Sequence, residues 1–188
     1  MDAPDERCLE ALVALTRLED LPRTGWLQAG IRPAESIAGH SHGAALVALA
    51  LGPRIEPAVD LGRVLGLLAV HDGAEALLGD WPRAARELLP AGAKAEAENR
   101  AGERLLGPLS DLARDLGREY QAQTTREARF ARLCDKFQLG LRLLVYRRAG
   151  WRGLDEFEHT VQDLDCTEFA GAAPLHAALI RALSAAPN

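Results

Sequence analysis

An all-α fold in one domain is what this sequence predicts, and three observations predict it. Ala, Leu and Arg, all strong helix formers, dominate almost every segment. β-branched residues are sparse and nowhere alternate with polar ones for the length of a strand. Capping residues such as Ser36 and Asp60 stand just ahead of apolar runs. A chain of 188 residues suits one domain and can bury a real core. The domain is read as 1–188, with its core over about 10–184 and a frayed tail at 184–188.

The elements follow in order. A helix is expected near 5–18, then a loop, "EDLPRTGWLQAGIRPAE". Ser36 caps a second helix running to about Leu51, and "GPRIEPAV" links it to a third, capped by Asp60, over about 61–78. Pro82 stands at a helix start. A longer helical region covers about 93–119. Thr124-Thr125-Arg126-Glu127 offers a capping box for a helix to about Arg148, stopped by Gly150. Segments near 153–162 and 173–184 complete the set. No internal repeat or low-complexity tract is present.

Composition narrows the function classes. Hydrophobic residues make up 48% and charged residues 26%, an ordinary globular balance. The net charge of -5 argues against duplex nucleic-acid binding, which depends on Lys and Arg neutralising phosphates. Lys94 and Lys136 are the only lysines, so nearly all positive charge is arginine, which grips phosphate through two parallel hydrogen bonds. Cys8, Cys134 and Cys166 are widely separated and odd in number, so a disulfide framework is not expected and a reduced, cytoplasmic setting fits. The acidic opening "MDAPDERCLEALV" does not read as a signal peptide, and no apolar stretch approaches 18 residues.

The chemistry concentrates in "LLAVHDGAEALLGDWP", residues 67–82. On a continuous helix His71 and Asp72 are neighbours about 100° apart, and Glu75 shares a face with both. Acidic groups oppose the helix dipole at a C-terminus, so a nearby cation would remove the conflict. His40 lies on an apolar helix face with Ile37, Ala44, Val47 and Leu51, and Asp135 lies at the rim of another, in "ARFARLCDKFQLGL". A lone histidine on an apolar face is usually structural, and Asp135 could pair with Lys136 or an arginine. Taken together, three helices each present a ligand-type group beside a core-facing stripe. Two imidazoles and two carboxylates suit a first-row divalent metal with open water positions.

Gly39-His40-Ser41-His42-Gly43 matches the G-x-S-x-G nucleophile elbow, but that motif needs a strand before it and none is expected here. His159 or His176 could only nominally finish a triad. No P-loop, H-E-x-x-H or G-x-G-x-x-G occurs.

The segments "PRTGW" (22–26), "ESIAGHS" (35–41), "LAVHDGAEALLGDWP" (68–82) and "EYQAQTTREARFARLCDKF" (119–137), in this order and spacing, resemble the HD-domain metal-dependent phosphohydrolase superfamily, and within it the 5'-deoxynucleotidases. The tail "PLHAALIRAL" is similar too. The resemblance implies an HD-domain helical bundle. It implies metal ligands at His40, His71, Asp72 and Asp135, an acid/base carboxylate at Glu75, and Asp80 beside the substrate. It places a phosphate-binding arginine at Arg23, with Trp26 near the sugar or base. Two departures from the family pattern stand out. Gly39 occupies a position that is usually acidic in the family, and Ala29 and Gly30 stand where many members carry a second basic residue, with Arg32 as the candidate replacement for substrate binding.

What the resemblance implies is one divalent transition metal (Mn, Co, Fe, Ni or Zn, with Mn or Co favoured). A hydroxide on that metal attacks a nucleoside 5'-monophosphate and releases phosphate. Partners are then a small nucleotide substrate and a second copy of the chain, with no nucleic-acid polymer and no membrane. Two alternatives stand beside it, a di-iron HD-domain oxygenase and a non-catalytic nucleotide-binding module. Against the first, the position three after Asp72 is Glu75 and not histidine. Gly39 is the feature that favours the second.

Overall fold

The computed structural model describes residues 3–186 and, among them, twelve α-helices, two short 3-10 turns and no strand. Pro187 and Asn188, part of the expected frayed tail, lie outside the described residues. The helices are α1 Pro4–Leu15, α2 Arg17–Asp20, α3 Thr24–Gln28, α4 Ile37–Leu51, α5 Leu61–Val70, α6 Glu75–Leu78, α7 Arg83–Glu87, α8 Ala93–Leu106, α9 Asp111–Ala122, α10 Arg126–Arg148, α11 Asp155–Gln162 and α12 Ala173–Ser184. No described helix is long and apolar enough to cross a membrane.

The longest helix, α10, is the axis of the bundle. It packs against α4, α5, α9, α11 and α12. Val47, Leu51, Val64, Leu67, Leu68, Phe130 and Phe137 fill the space between these helices and are all buried. Each such aliphatic or aromatic side chain removed from water contributes roughly 1.5–3 kcal/mol. The start of α4 is set by its cap, since the Ser36 hydroxyl accepts from the Gly39 N–H at 3.1 Å. Asp60 does the same for α5, accepting from Arg63 N at 3.0 Å. Gly150, at φ 89°, follows the end of α10.

Four expectations need correction. The segment read as a loop before Ser36 contains α3, which packs its Trp26 into the core. The helix expected over 61–78 stops at Val70, and residues 71–74 form a tighter turn in which Gly73 N bonds Val70 O and Glu75 N bonds Asp72 O. The His71 ring assists the stop by donating from Nδ1 to the Leu68 carbonyl at 2.8 Å, one of the acceptors an ending helix leaves open. The helical region of 93–119 is two helices. They are split at Gly107 and Pro108, and α9 restarts on a Ser110 cap. The capping box does not form either: Thr125 is the cap of α10, and Glu127 reaches across to the Asp60 N–H instead.

Two loops are tied down beside the α4 start. Arg23 N donates to Glu35 O and Ile37 N to Leu21 O, both at 2.9 Å, so Pro22 and Ser36 face each other in a small antiparallel bridge. Thr24 N donates to Asp80 Oδ2 at 2.7 Å, which fastens the same segment to the loop after α6. Gly79 makes that loop possible, with φ 73° that side-chain-bearing residues rarely adopt.

Candidate metal centre

Two helices and the turn that ends a third bring the ligand-type groups together. His40 projects from the first turns of α4, Asp135 from the middle of α10, and His71 and Asp72 from the turn that ends α5. Candidate ligand atoms of His40, His71 and Asp72 all lie within 4.8 Å of one another. Asp135 joins them through Oδ1, 2.8 Å from His40 Nε2, and its Oδ2 accepts from the Tyr120 hydroxyl of α9 at 3.2 Å.

The chemistry of this donor set fits a divalent ion. His71 is buried, and its Nδ1–H goes to the Leu68 carbonyl, so Nε2 carries the lone pair that a metal needs. His71 Nε2 has no hydrogen-bond partner; it sits 3.1 Å from Asp72 Oδ2 without the geometry of a bond. A fully buried nitrogen without a partner is costly unless something charged and positive meets it. His40 is arranged the same way: its Nδ1 meets the Gln138 side-chain oxygen, leaving Nε2 towards Asp135.

Electrostatics agree with this arrangement. Burial alone would neutralise Asp72, yet His71, Arg23 and His40 outweigh it and hold the carboxyl below the ordinary carboxylate range. Burial opposes charge on His71, but Asp72 and Asp135 raise its pKa to about 9 in the metal-free chain. Burial and the neighbouring Asp72 and Asp80 push Glu75 up to about 9, so its carboxyl holds a proton at neutral pH, and its Oε2 has no hydrogen-bond partner. Arg23 closes the cluster, donating from Nη1 to Asp72 Oδ2 at 3.2 Å and lying 3.8 Å from Asp80 Oδ2. Its desolvation is overcome by Asp72, Asp80, Asp135 and Glu75, so its charge is secured.

The sequence-derived residues therefore separate. The structure brings Arg23, His40, His71, Asp72, Glu75, Asp80 and Asp135 together. Glu75 arrives by the turn at 71–74 and not by sharing a helical face. Trp26 is 1% exposed, stacked on Phe157 with ring centroids 4.0 Å apart and edge-on to Tyr146, and its indole N–H is taken by Glu35. Arg32 stands on an exposed turn and its guanidinium points back to the Ile31 carbonyl. Ser41 lies inside α4 and bonds the Ile37 carbonyl, as the absence of a strand required. Beside Arg23 and Asp80 opens a cleft of about 610 Å³, also walled by Trp26, Trp81, Leu139 and Phe157.

Glu35, Tyr120 and Gln138 escaped the sequence reading. Gln138 carries a detectable signal, being an amide next to Phe137 on a stripe that otherwise holds Ala131 and Cys134. Glu35 was overshadowed by the Ser36 cap beside it.

Comparison with known proteins gives a consistent result. A family model described as HD domain matches residues 15–174. The chain is 31% identical over 156 residues to the 5'-deoxynucleotidase hdd1 of Schizosaccharomyces pombe, spanning 78% of this chain and 76% of that one. It is 28% identical over 142 residues to the 5'-deoxynucleotidase HDDC2 of Homo sapiens, spanning 73% and 67%. Among solved structures, a protein from Pyrococcus horikoshii superposes with a TM-score of 0.82 at 29% identity, covering 93% of this chain and 99% of that one. A Magnetospirillum magnetotacticum protein, described as a predicted metal-dependent phosphohydrolase, superposes with a TM-score of 0.69 at 26% identity, covering 99% and 100%.

Proposed function

This chain belongs to the HD-domain family, and from that premise we propose that it is a metal-dependent phosphohydrolase releasing phosphate from (deoxy)nucleoside 5'-monophosphates. The observation that carries the reading is the convergence of two imidazoles and two carboxylates beside Arg23, at the edge of a cleft large enough for a nucleoside. His40, His71, Asp72 and Asp135 would hold the ion. When bound, a divalent metal lowers the pKa of water and offsets charge on phosphoryl oxygens.

The chain's own residues supply the rest. Arg23 is aimed at the cluster by Asp72 and Asp80, and its fork suits two phosphoryl oxygens. Hydrolysis breaks the bond from phosphorus to the 5' oxygen, and that oxygen must gain a proton. Burial and the neighbouring Asp72 and Asp80 favour the protonated form of Glu75, which would serve as that acid. Asp80 holds Thr24 and Arg23 in place on the sugar side. The cleft takes the nucleoside, with Trp81 as an aromatic wall. Mn²⁺ or Co²⁺ as the working ion, a homodimer as the assembly and a cytoplasmic setting belong to the same proposal. The curated relatives favour neither a di-iron oxygenase nor a non-catalytic module.

A panel of ribo- and deoxyribonucleoside monophosphates, incubated with Mn²⁺ or Co²⁺ and assayed for phosphate, tests the reading. Release that chelator abolishes supports it. Thermal stabilisation by nucleotide with no phosphate released, under every metal tried, would replace it with the binding module.

A further inference from the structure

Behind His40 runs a line of buried polar groups that the hydrolytic scheme does not use. Trp26 Nε1–H donates to Glu35 Oε1 at 2.8 Å, and Gln138 Nε2–H donates to Glu35 Oε2 at 2.9 Å. Gln138 thereby turns its oxygen the other way, onto His40 Nδ1. Glu35 is 9% exposed and Gln138 6%, so neither exchanges these bonds freely with water. Arg142 lies 3.6 Å from Glu35 Oε2 and balances its charge.

We propose that Glu35 and Gln138 are positioning residues that fix the tautomer and the aim of His40. A side-chain amide can present either its oxygen or its NH₂ to a neighbour. The Glu35 carboxylate accepts only, so it selects the NH₂ and leaves the oxygen for His40. An oxygen at Nδ1 demands Nδ1–H, which puts the lone pair on Nε2, facing Asp135 and the centre of the cluster. The direction of the line therefore runs from the carboxylate on the α4 side to the ligand nitrogen.

Gly43 gives independent support. A methyl group placed there would lie 2.9 Å from Gln138 Cγ and 3.0 Å from its Nε2. A glutamine end would ordinarily swing aside, but this one is pinned at both Oε1 and Nε2. The glycine one helical turn after the ligand thus leaves room for the amide, which accounts for the second Gly of the G-x-S-x-G look-alike. The arrangement has the general form of an outer partner that orients a ligating histidine.

The inference rests on the reading of the cluster as a metal site, and the test separates the two. Zn²⁺ affinity of the full-length chain is measured by competition with a chelating indicator, with circular dichroism to confirm the fold. Gln138→Leu should weaken Zn²⁺ binding about 10- to 100-fold, and Gly43→Ala should weaken it in the same direction. Exchanging the two groups, Glu35→Gln with Gln138→Glu, keeps an acceptor at Nδ1 and a donor–acceptor pair behind it, and should bind within a few-fold of wild type. The Nδ1–H proton signal of His40 in the zinc-loaded chain should persist in wild type and in the exchanged pair and vanish by exchange in Gln138→Leu. Zn²⁺ affinity of Gln138→Leu within twofold of wild type overturns the relay, as does an equal loss in the exchanged pair and in Gln138→Leu. A wild-type chain that binds no divalent ion at all overturns the metal-site reading, and the relay with it.

Discussion

Along α8 and α9 Arg118 pairs with Glu103, and Arg100 with Glu96, on open surface. Around the turn at 71–74 the same kinds of groups are packed away from water, and His71 Nε2 and Glu75 Oε2 have no hydrogen-bond partner. Exposed pairs are screened and pay side-chain entropy, so they contribute little. The buried cluster costs stability, because each charge has lost its hydration and the partners do not fully replace it. Identical residue types thus mean different things in the two places. Where charge is cheap it says little about function; where it is expensive and incompletely paired, a ligand is the natural explanation.

That contrast can be broken or sharpened by experiment. The largest effect is expected from Asp72→Ala, which should abolish both divalent-metal binding and phosphate release and leave the helical circular dichroism intact. An Asp72→Ala variant that still turns over nucleotide removes the cluster from the chemistry. Next, Glu75→Gln should lower turnover by about 10²- to 10⁴-fold with metal affinity retained, which separates a proton donor from a ligand. Third, metal in hundredfold excess over its Kd should stabilise the chain by about 2.7 kcal/mol, a rise in Tm of roughly 5–10 °C. Chelator should reverse that rise, and Asp72→Ala should show none of it.

The fourth expectation concerns pH in the metal-free chain. Glu75 and His71 both have raised pKa values, about 9 against ordinary values of 4.5 and 6.5. A raised pKa contributes stability below the ordinary value that is lost as pH climbs through the raised one. The melting temperature in chelator should therefore fall as pH rises from about 4.5 to about 9, and Glu75→Gln should flatten the slope. Smallest of all, Arg118→Ala on the α8–α9 surface should leave turnover unchanged and the melting temperature within experimental scatter.

The legible parts of the molecule were those written locally. Ser36 and Asp60 act on backbone three residues away, so the starts of α4 and α5 could be read directly. The apolar spacing of α10 and α12 likewise needs no knowledge of distant residues. Illegibility began where a distant partner decides. Near residue 70 Gly73 alone hints at a helix end, and the His71 ring takes up a carbonyl there, which no local pattern announces. The break at Gly107-Pro108 is signalled by those two residues but masked by the helix formers on both sides. His40, His71, Asp72 and Asp135 were nameable because ligand chemistry restricts residue type. Glu35 and Gln138 were not, since their pairing spans 103 positions and involves side chains that are common on surfaces.

The bridge between Pro22 and Ser36 has a consequence for redesign. Both ends of the intervening loop are fastened, at Arg23 by Glu35 O and at Ile37 by Leu21 O. Arg23 therefore keeps its register with His40 through backbone, whatever lies between. Trp26 plugs the core and, with Gln28 and Ala29, lines the cleft. Within the stretch from Leu27 to Pro33, Ile31 is fully buried in the core and must stay, so the rewritable positions are Gln28 and Ala29, where new side chains can change the nucleoside accepted while the hydrolytic groups stay in place.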